Sequence, residues 1–128
     1  MIFVDSNVFI YAVGRSHPLR TEAQAFFLEA AEKGKRLVTS AEVLQELLHV
    51  YLPVGRITTL DAALELATQG VDKIIPIHQE TVIHARNLAD RHPELTARDL
   101  LHFAVCRLHK ISELKTFDRS LEVAFTRK

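Results

Sequence analysis

Two hydrophobic rhythms run through this chain: short unbroken apolar runs, and stripes recurring every three to four positions. Ile2, Phe3 and Val4 lead straight into Asp5, and Val8, Phe9, Ile10 and Tyr11 follow. Such a run predicts a fully buried central strand, with Asp5 at its carboxyl end. Gly14 to Pro18 predicts a loop, with Pro18 suited to the first turn of a helix. From Leu19 to Lys33 the spacing turns helical, placing Ala23, Phe26, Phe27 and Ala30 on one face before Gly34 stops the helix. Leu37 and Val38 predict a second strand. Val43, Leu44, Leu47, Leu48, Val50, Tyr51 and Leu52 then stripe a helix that Pro53 ends. Thr39 and Glu42 match a capping box at its start, which assigns Glu42 to capping.

Val54 to Arg56 reads as a turn, and Thr58 to Gln69 as an amphipathic helix stopped by Gly70. Ile74, Ile75 and Ile77 predict a third strand, placed at a sheet edge by Pro76. Gln79 to Arg91 predicts a helix broken by His92-Pro93. Thr96 opens a mostly apolar helix with Asp99 in its first turn, Thr-x-x-Asp again resembling a capping box. Leu114 to Phe117 predicts a fourth strand, with Asp118 beyond its carboxyl end, where it is also a natural N-cap for Arg119 to Val123. Ala124 to Lys128 is expected to add a fifth edge strand or to fray. Strands alternating with helices make the fold class α/β, a mainly parallel sheet of four to five short strands in one domain over residues 1–128. Strand order stays open, limited only by right-handed crossovers.

Composition narrows the function. A length of 128 residues with 48% apolar and 25% charged positions suits one soluble domain with a real core. The single cysteine, Cys106, excludes an internal disulfide and a cysteine-based zinc site and fits a reducing cytosol, so a cytoplasmic location is expected. No apolar stretch is long enough to span a membrane. Asp5 interrupts the first run, and no basic segment precedes it, so no secretion signal is expected. Formal net charge is zero. A generic nucleic-acid coat would be basic, so any nucleic-acid contact has to come from a local patch.

The chemistry-bearing residues are carboxylates. Asp5 and Asp118 stand at strand ends, Asp99 in the wall of an apolar helix, and Glu46 at the rim of an apolar helical arc. Each has a plain alternative: a helix cap for Asp5, Asp99 and Asp118, a solvated helix face for Glu46. A parallel sheet is able to bring all four to one edge. Gathered carboxylates repel and retain protons unless a cation faces them. Mg²⁺ or Mn²⁺ meets that need, being a hard ion with oxygen ligands, and it polarises a phosphodiester and activates water. Ser6 and Asn7 beside Asp5, and Thr116 beside Asp118, supply polar support.

Together VDSNVFIY around Asp5, EVLQEL around Glu46, TARDLLHFAVC around Asp99 and TFDRSLE around Asp118 resemble PIN domains, most of all the VapC toxins of prokaryotic toxin–antitoxin pairs. The motifs lie in family order over essentially the whole chain. The resemblance implies a three-layer α/β/α sandwich and a Mg²⁺- or Mn²⁺-dependent endoribonuclease, usually dimeric and inhibited by a small cognate antitoxin. It makes Asp5, Glu46, Asp99 and Asp118 the catalytic and metal-binding set, with Asn7 and Thr116 in supporting polar positions. The expected substrate is RNA, tRNA or another structured RNA. Lys115 departs from the apolar residue frequent at its place, which points to a short or edge strand.

Arg15, Arg20, Arg98 and Arg119 lie nearest the motifs and are the candidates for RNA phosphate contacts, with plain solvation as the alternative. His49 and His102, one turn from Glu46 and Asp99, read as surface residues, with a phosphate contact as the alternative. The seven histidines show no zinc spacing. Phe26, Phe27, Leu44, Leu48, Leu52, Leu60 and Leu64 are either core or, as the resemblance implies, part of an antitoxin groove and dimer face. Two other classes stay open. A receiver-like signalling domain needs an aspartate at a middle strand end, which IIPIHQE does not supply. A catalytically inactive PIN-fold binding module would not need the intact acidic set. A HAD-type phosphatase wants Asp-x-Asp, where this chain has Asp5-Ser6-Asn7.

Overall fold

The computed structural model of the protein describes residues 1–127. In chain order the elements are β1 (Ile2–Val4), α1 (Ser6–Val13), α2 (Pro18–Glu32), β2 (Leu37–Ser40), α3 (Ala41–Tyr51), a 3-10 turn (Leu52–Val54), α4 (Ile57–Gln69), β3 (Lys73–Ile75), α5 (Gln79–Leu88), α6 (Ala97–Leu108), β4 (Glu113–Lys115) and α7 (Arg119–Thr126). The four strands form one parallel sheet in the order β3-β2-β1-β4. Every residue of β1 and β2 is buried, so both faces of the sheet's centre are covered. β3 and β4 are edge strands of three residues each, as Pro76 and Lys115 foretold.

Two clusters make up the core. The larger gathers β1, β2 and helices α1 to α4 around Phe3, Phe9, Val38 and Leu47. The smaller gathers α5, α6 and α7 around Phe103 and Leu121, and Leu114 of β4 touches both. Each fully buried aromatic or leucine contributes about 1.5–3 kcal/mol relative to exposure. Leu60 is buried, and Phe26, Phe27, Leu44 and Leu64 pack partly buried against the larger cluster. Leu48 and Leu52 instead stay exposed. Among the described residues no helix is long and apolar enough to cross a membrane.

Three expectations change. The chain after Asp118 forms α7 through Thr126 rather than a fifth strand; Leu121 and Ala124, at helical spacing, are buried in the smaller cluster, and Lys128 lies outside the described residues. The helix expected over Gln79 to Arg91 ends at Leu88. Thr39 does not cap α3. β2 extends through Ser40, the Thr39 hydroxyl donates to the Val4 carbonyl (2.8 Å), and Ser40 Oγ accepts from Val43 N instead (3.4 Å). Glu42 is thereby released from the capping role.

The strand order fixes where chemistry collects. The chain steps from β1 outward to β2 and β3, then returns to lay β4 on β1's other side. Between β1 and β4 the winding reverses, and ligands of open parallel sheets bind beyond the carboxyl ends of the strands at such a point.

Candidate active site

Asp5 follows β1 directly, and Thr116 follows β4. Asp5 N donates to the carbonyl of Lys115 (3.0 Å), continuing the β1–β4 ladder by one bond and bringing these two segments together. The Asp5 side chain is buried and surrounded by donors. Its Oδ1 accepts from Ser6 N (2.7 Å), and its Oδ2 from Thr116 Oγ1 (2.7 Å) and Asn7 Nδ2 (3.3 Å). Asp5 is at once the N-cap of α1 and a member of this network. Asn7 ties the other end: its Oδ1 accepts from Phe117 N (3.1 Å). Thr116 Oγ1 also accepts from Asp118 N (3.0 Å).

Glu46 enters from α3. Its Oε2 accepts from Ser6 Oγ at 2.6 Å, and its Oε1 lies 2.6 Å from Nε2 of His102. Burial pushes the Glu46 carboxyl up, but the hydrogen bonds from His102 and Ser6 and the nearby charges of His102 and Arg98 outweigh it, holding its pKa below the usual glutamate value. Glu42, one turn earlier, is half-buried; burial and the Glu46 charge raise its pKa. It stands within electrostatic reach of His102 and Arg98 as well, on the rim of the acidic group rather than in a cap.

Asp99 comes from the first turn of α6, where its N donates to Thr96 Oγ1 (3.2 Å). Burial, then the charges of Asp118 and Asp5, raise its carboxyl pKa. Asp118 is half-exposed, three residues beyond β4, and its Oδ1 caps α7 through Ser120 N (2.9 Å) and Leu121 N (3.3 Å). The sequence-derived acidic residues thus share one electrostatic neighbourhood, with Ser6, Asn7 and Thr116 bonded directly into it. The arginines are less gathered. The Arg98 charge reaches Glu42 and Glu46 and works against the effect of burial at both, while Arg15 and Arg119 are exposed and without ion pairs among the described residues. Arg20 is half-buried, and its Nε is buried with no hydrogen-bond partner.

His102 overturns the surface reading. It is 1% exposed, packed on the Phe3 ring (centroids 5.4 Å apart), with Nε2 facing Glu46 and, at 3.4 Å, Asp5 Oδ1. Burial alone would lower its pKa, but the Glu46 hydrogen bond and the charges of Asp5, Glu46 and Asp99 raise it above the ordinary histidine value. The available signal was its position, one turn after Asp99 inside an apolar stripe. His49 is exposed, as expected.

A hard divalent cation fits these residues. Ligand atoms of Asp5, Glu46 and His102 come within 4.8 Å of one another. Burial and the charges of Asp118 and Asp5 keep the Asp99 carboxyl pKa raised, and Asp118 Oδ2 is left unbonded by the cap. A set dominated by carboxylate oxygens, with one imidazole beside it, suits a hard ion such as Mg²⁺ or Mn²⁺.

Comparison with known proteins gives a consistent picture. The PIN domain family model matches residues 2–125. The chain is 54% identical over 125 residues to "Ribonuclease VapC23" of Mycobacterium tuberculosis, covering 98% of both chains. Its fold is similar to the crystal structure of Mycobacterium tuberculosis VapC20, described as a sarcin-ricin loop cleaving toxin, with TM-score 0.81 at 21% identity over 97% of this chain and 95% of that one. It is also similar to VapBC2 of Rickettsia felis, solved bound to a DNA fragment from the promoter, with TM-score 0.61 at 15% identity over 92% of this chain and all of that one.

Proposed function

The chain belongs to the PIN-domain family, and from that premise we propose that it is an endoribonuclease, the toxin of a toxin–antitoxin pair. One observation carries the reading: Asp5 and Glu46 come together with His102 where the sheet winding reverses, and Asp99 and Asp118 lie within electrostatic reach of that cluster. The 54% identity to a ribonuclease over nearly the whole chain supports the same chemistry.

Asp5, Asp99 and Asp118 would hold a Mg²⁺ or Mn²⁺ ion, Asp118 directly or through water, and Glu46 would bind a second ion or orient the attacking water. A bound ion supplies charge neutralisation and polarises the scissile phosphodiester. The chain's own part is preorganisation. Ser6, Asn7 and Thr116 fix the Asp5 carboxylate from three sides, so little reorganisation accompanies reaction. Arg98, beside Glu42 and Glu46, offsets the acidic field for an approaching phosphate, and Arg15, Arg20 and Arg119 are further phosphate contacts. The substrate is RNA, of the tRNA or other structured class.

A cognate antitoxin neutralises the enzyme. Leu48, Leu52, Val54 and Ile57 stay 39–66% exposed around the end of α3, an apolar surface suited to an amphipathic partner segment. The whole chain acts as one PIN domain, as a homodimer in the cytoplasm.

The test is cleavage of a panel of tRNAs and structured RNAs with Mg²⁺, Mn²⁺ or EDTA, comparing wild type with Asp99→Asn. Metal-dependent cleavage lost in the variant is the expected result. Mn²⁺ binding without cleavage of any RNA would favour the inactive binding module instead.

A further inference from the structure

We propose that His17, backed by Tyr11, is a stacking platform for a nucleobase: it takes an unpaired base beside the scissile phosphodiester, so that the RNA is read in a single-stranded loop. The inference deepens the nuclease reading and rests on it.

The platform is built outward from the acidic site. Asn7 donates to Asp5 Oδ2 (3.3 Å) and accepts from Phe117 N (3.1 Å), so one side chain separates Phe117 from Asp5. Tyr11 follows Asn7 by one turn on the same face of α1. Its ring meets that of Phe117 edge to face, with centroids 5.6 Å apart and planes at 84°. The His17 ring lies against Tyr11, 5.1 Å away and tilted by 35°. Tyr11 and Phe117 are half-buried, and Phe117 is further engaged by Lys115 Nζ, 5.0 Å from its centroid. His17 is the exposed ring of the three. Its imidazole is held in orientation, because Nδ1 accepts from Leu19 N (3.0 Å) as the N-cap of α2.

An oriented, exposed aromatic ring suits a flat π-face, and the flanking charges select a nucleotide. Arg15 stands two residues before His17 and Arg20 one turn after it. Arg15 is exposed without an ion pair among the described residues, and Arg20 Nε is buried with no hydrogen-bond partner among them. A stacking ring between uncommitted guanidinium groups matches a base with its phosphates. A base inside a duplex has both faces covered by its neighbours, so only an unpaired, splayed base reaches the ring. Every base has a π-face, so the platform selects an unstacked nucleotide next to the cut rather than one particular base.

The experiment separates the ring from the cap. His17→Asn keeps an acceptor for Leu19 N and loses the ring, while His17→Phe keeps an aromatic face and loses the acceptor. The first readout is quenching of 2-aminopurine, placed at each position in turn of a short single-stranded RNA of mixed sequence, with all proteins carrying Asp99→Asn so that the strand stays whole. The second is kcat/KM on the panel RNA that wild type cleaves, either intact or abasic at each nucleotide flanking the cut. His17→Asn should lose the quenching and bind about 5- to 100-fold more weakly, with His17→Phe close to wild type. On the cleaved RNA, His17→Asn should lower kcat/KM by a similar factor, and one abasic flanking site should abolish the difference from wild type. A loss confined to His17→Phe would show that only the cap matters and overturn the proposal. So would a His17→Asn penalty that every abasic RNA retains. If a His17 variant does not fold, Tyr11→Leu against Tyr11→Phe asks the same of the ring beneath, with only Tyr11→Leu expected to lose the quenching. Ring-dependent quenching without cleavage of any RNA strikes the nuclease reading and leaves a base-binding site. Cleavage and quenching indifferent to both rings strike the platform and leave the nuclease reading.

Discussion

Thr116 donates its hydroxyl to Asp5 Oδ2 at 2.7 Å, joining residues 111 positions apart in the chain. Thr116 Oγ1 itself accepts from Asp118 N at 3.0 Å, so one buried hydroxyl sets both strand-end aspartates. Thr116→Val keeps the shape and deletes both bonds, together with the one Thr116 Oγ1 accepts from Asn7 Nδ2 at 3.3 Å. A lost hydrogen bond to a charged group costs about 1.5–3 kcal/mol. The unfolding free energy should fall by at least that amount, read as a lower denaturation midpoint at an unchanged m-value, and metal-dependent cleavage should fall with it.

Asp99→Asn is expected to stabilise the metal-free protein. The folded-state pKa of Asp99 is raised, by burial first and then by Asp118 and Asp5. Stability gained from its bound proton is full below the unfolded aspartate pKa of about 3.9 and is lost as pH rises through the folded value. At neutral pH the ionised carboxylate therefore opposes folding, and the amide removes that penalty. Melting curves in EDTA should show the variant above wild type near pH 7, with the gap closing toward pH 4. Mg²⁺ or Mn²⁺ at 100 times its Kd should stabilise wild type by about 2.7 kcal/mol and the variant by much less.

Cys106 should be chemically silent in the folded protein. It is 2% exposed, and burial followed by the Asp5 charge pushes its thiol up to about 12. The thiolate is the reactive form, so at pH 8 native protein should react with a thiol reagent only through opening, while denatured protein reacts at once. Rapid labelling of native protein would contradict the burial.

Gly70→Ala should destabilise. A Cβ there would lie 2.5 Å from the Leu66 carbonyl oxygen, a backbone atom that cannot swing aside. The clash sits where α4 ends and the chain turns toward β3. A loss of about 1–3 kcal/mol is expected, read as a lower melting temperature.

Most of the fold was legible from local pattern. β1, β2, α2, α4 and α6 announce themselves by apolar runs or stripes bounded by Gly, Pro and Thr, signals that depend only on near neighbours. The C-terminal segment was not, because the helical phase of Leu121 and Ala124 gains meaning only against Phe103 and Leu88 of the smaller core. Thr39 failed as a cap for a similar reason: its hydroxyl is claimed by Val4, 35 residues earlier.

The acidic set stood out in the sequence through motif and order, because strand ends and first helical turns are local features. The sequence could not order the strands, and so could not say that β4 lies against β1 and carries Thr116 to Asp5. Nor could it tell an exposed histidine from a buried one. His49 and His102 each stand one turn from an acidic residue, yet α3 turns the first to solvent while α6 buries the second between Asp5 and Glu46. Local chemistry and periodicity determined the elements and the candidate carboxylates. Long-range packing alone decided their mutual geometry, because burial and hydrogen-bond partners belong to the assembled layers and to no single segment.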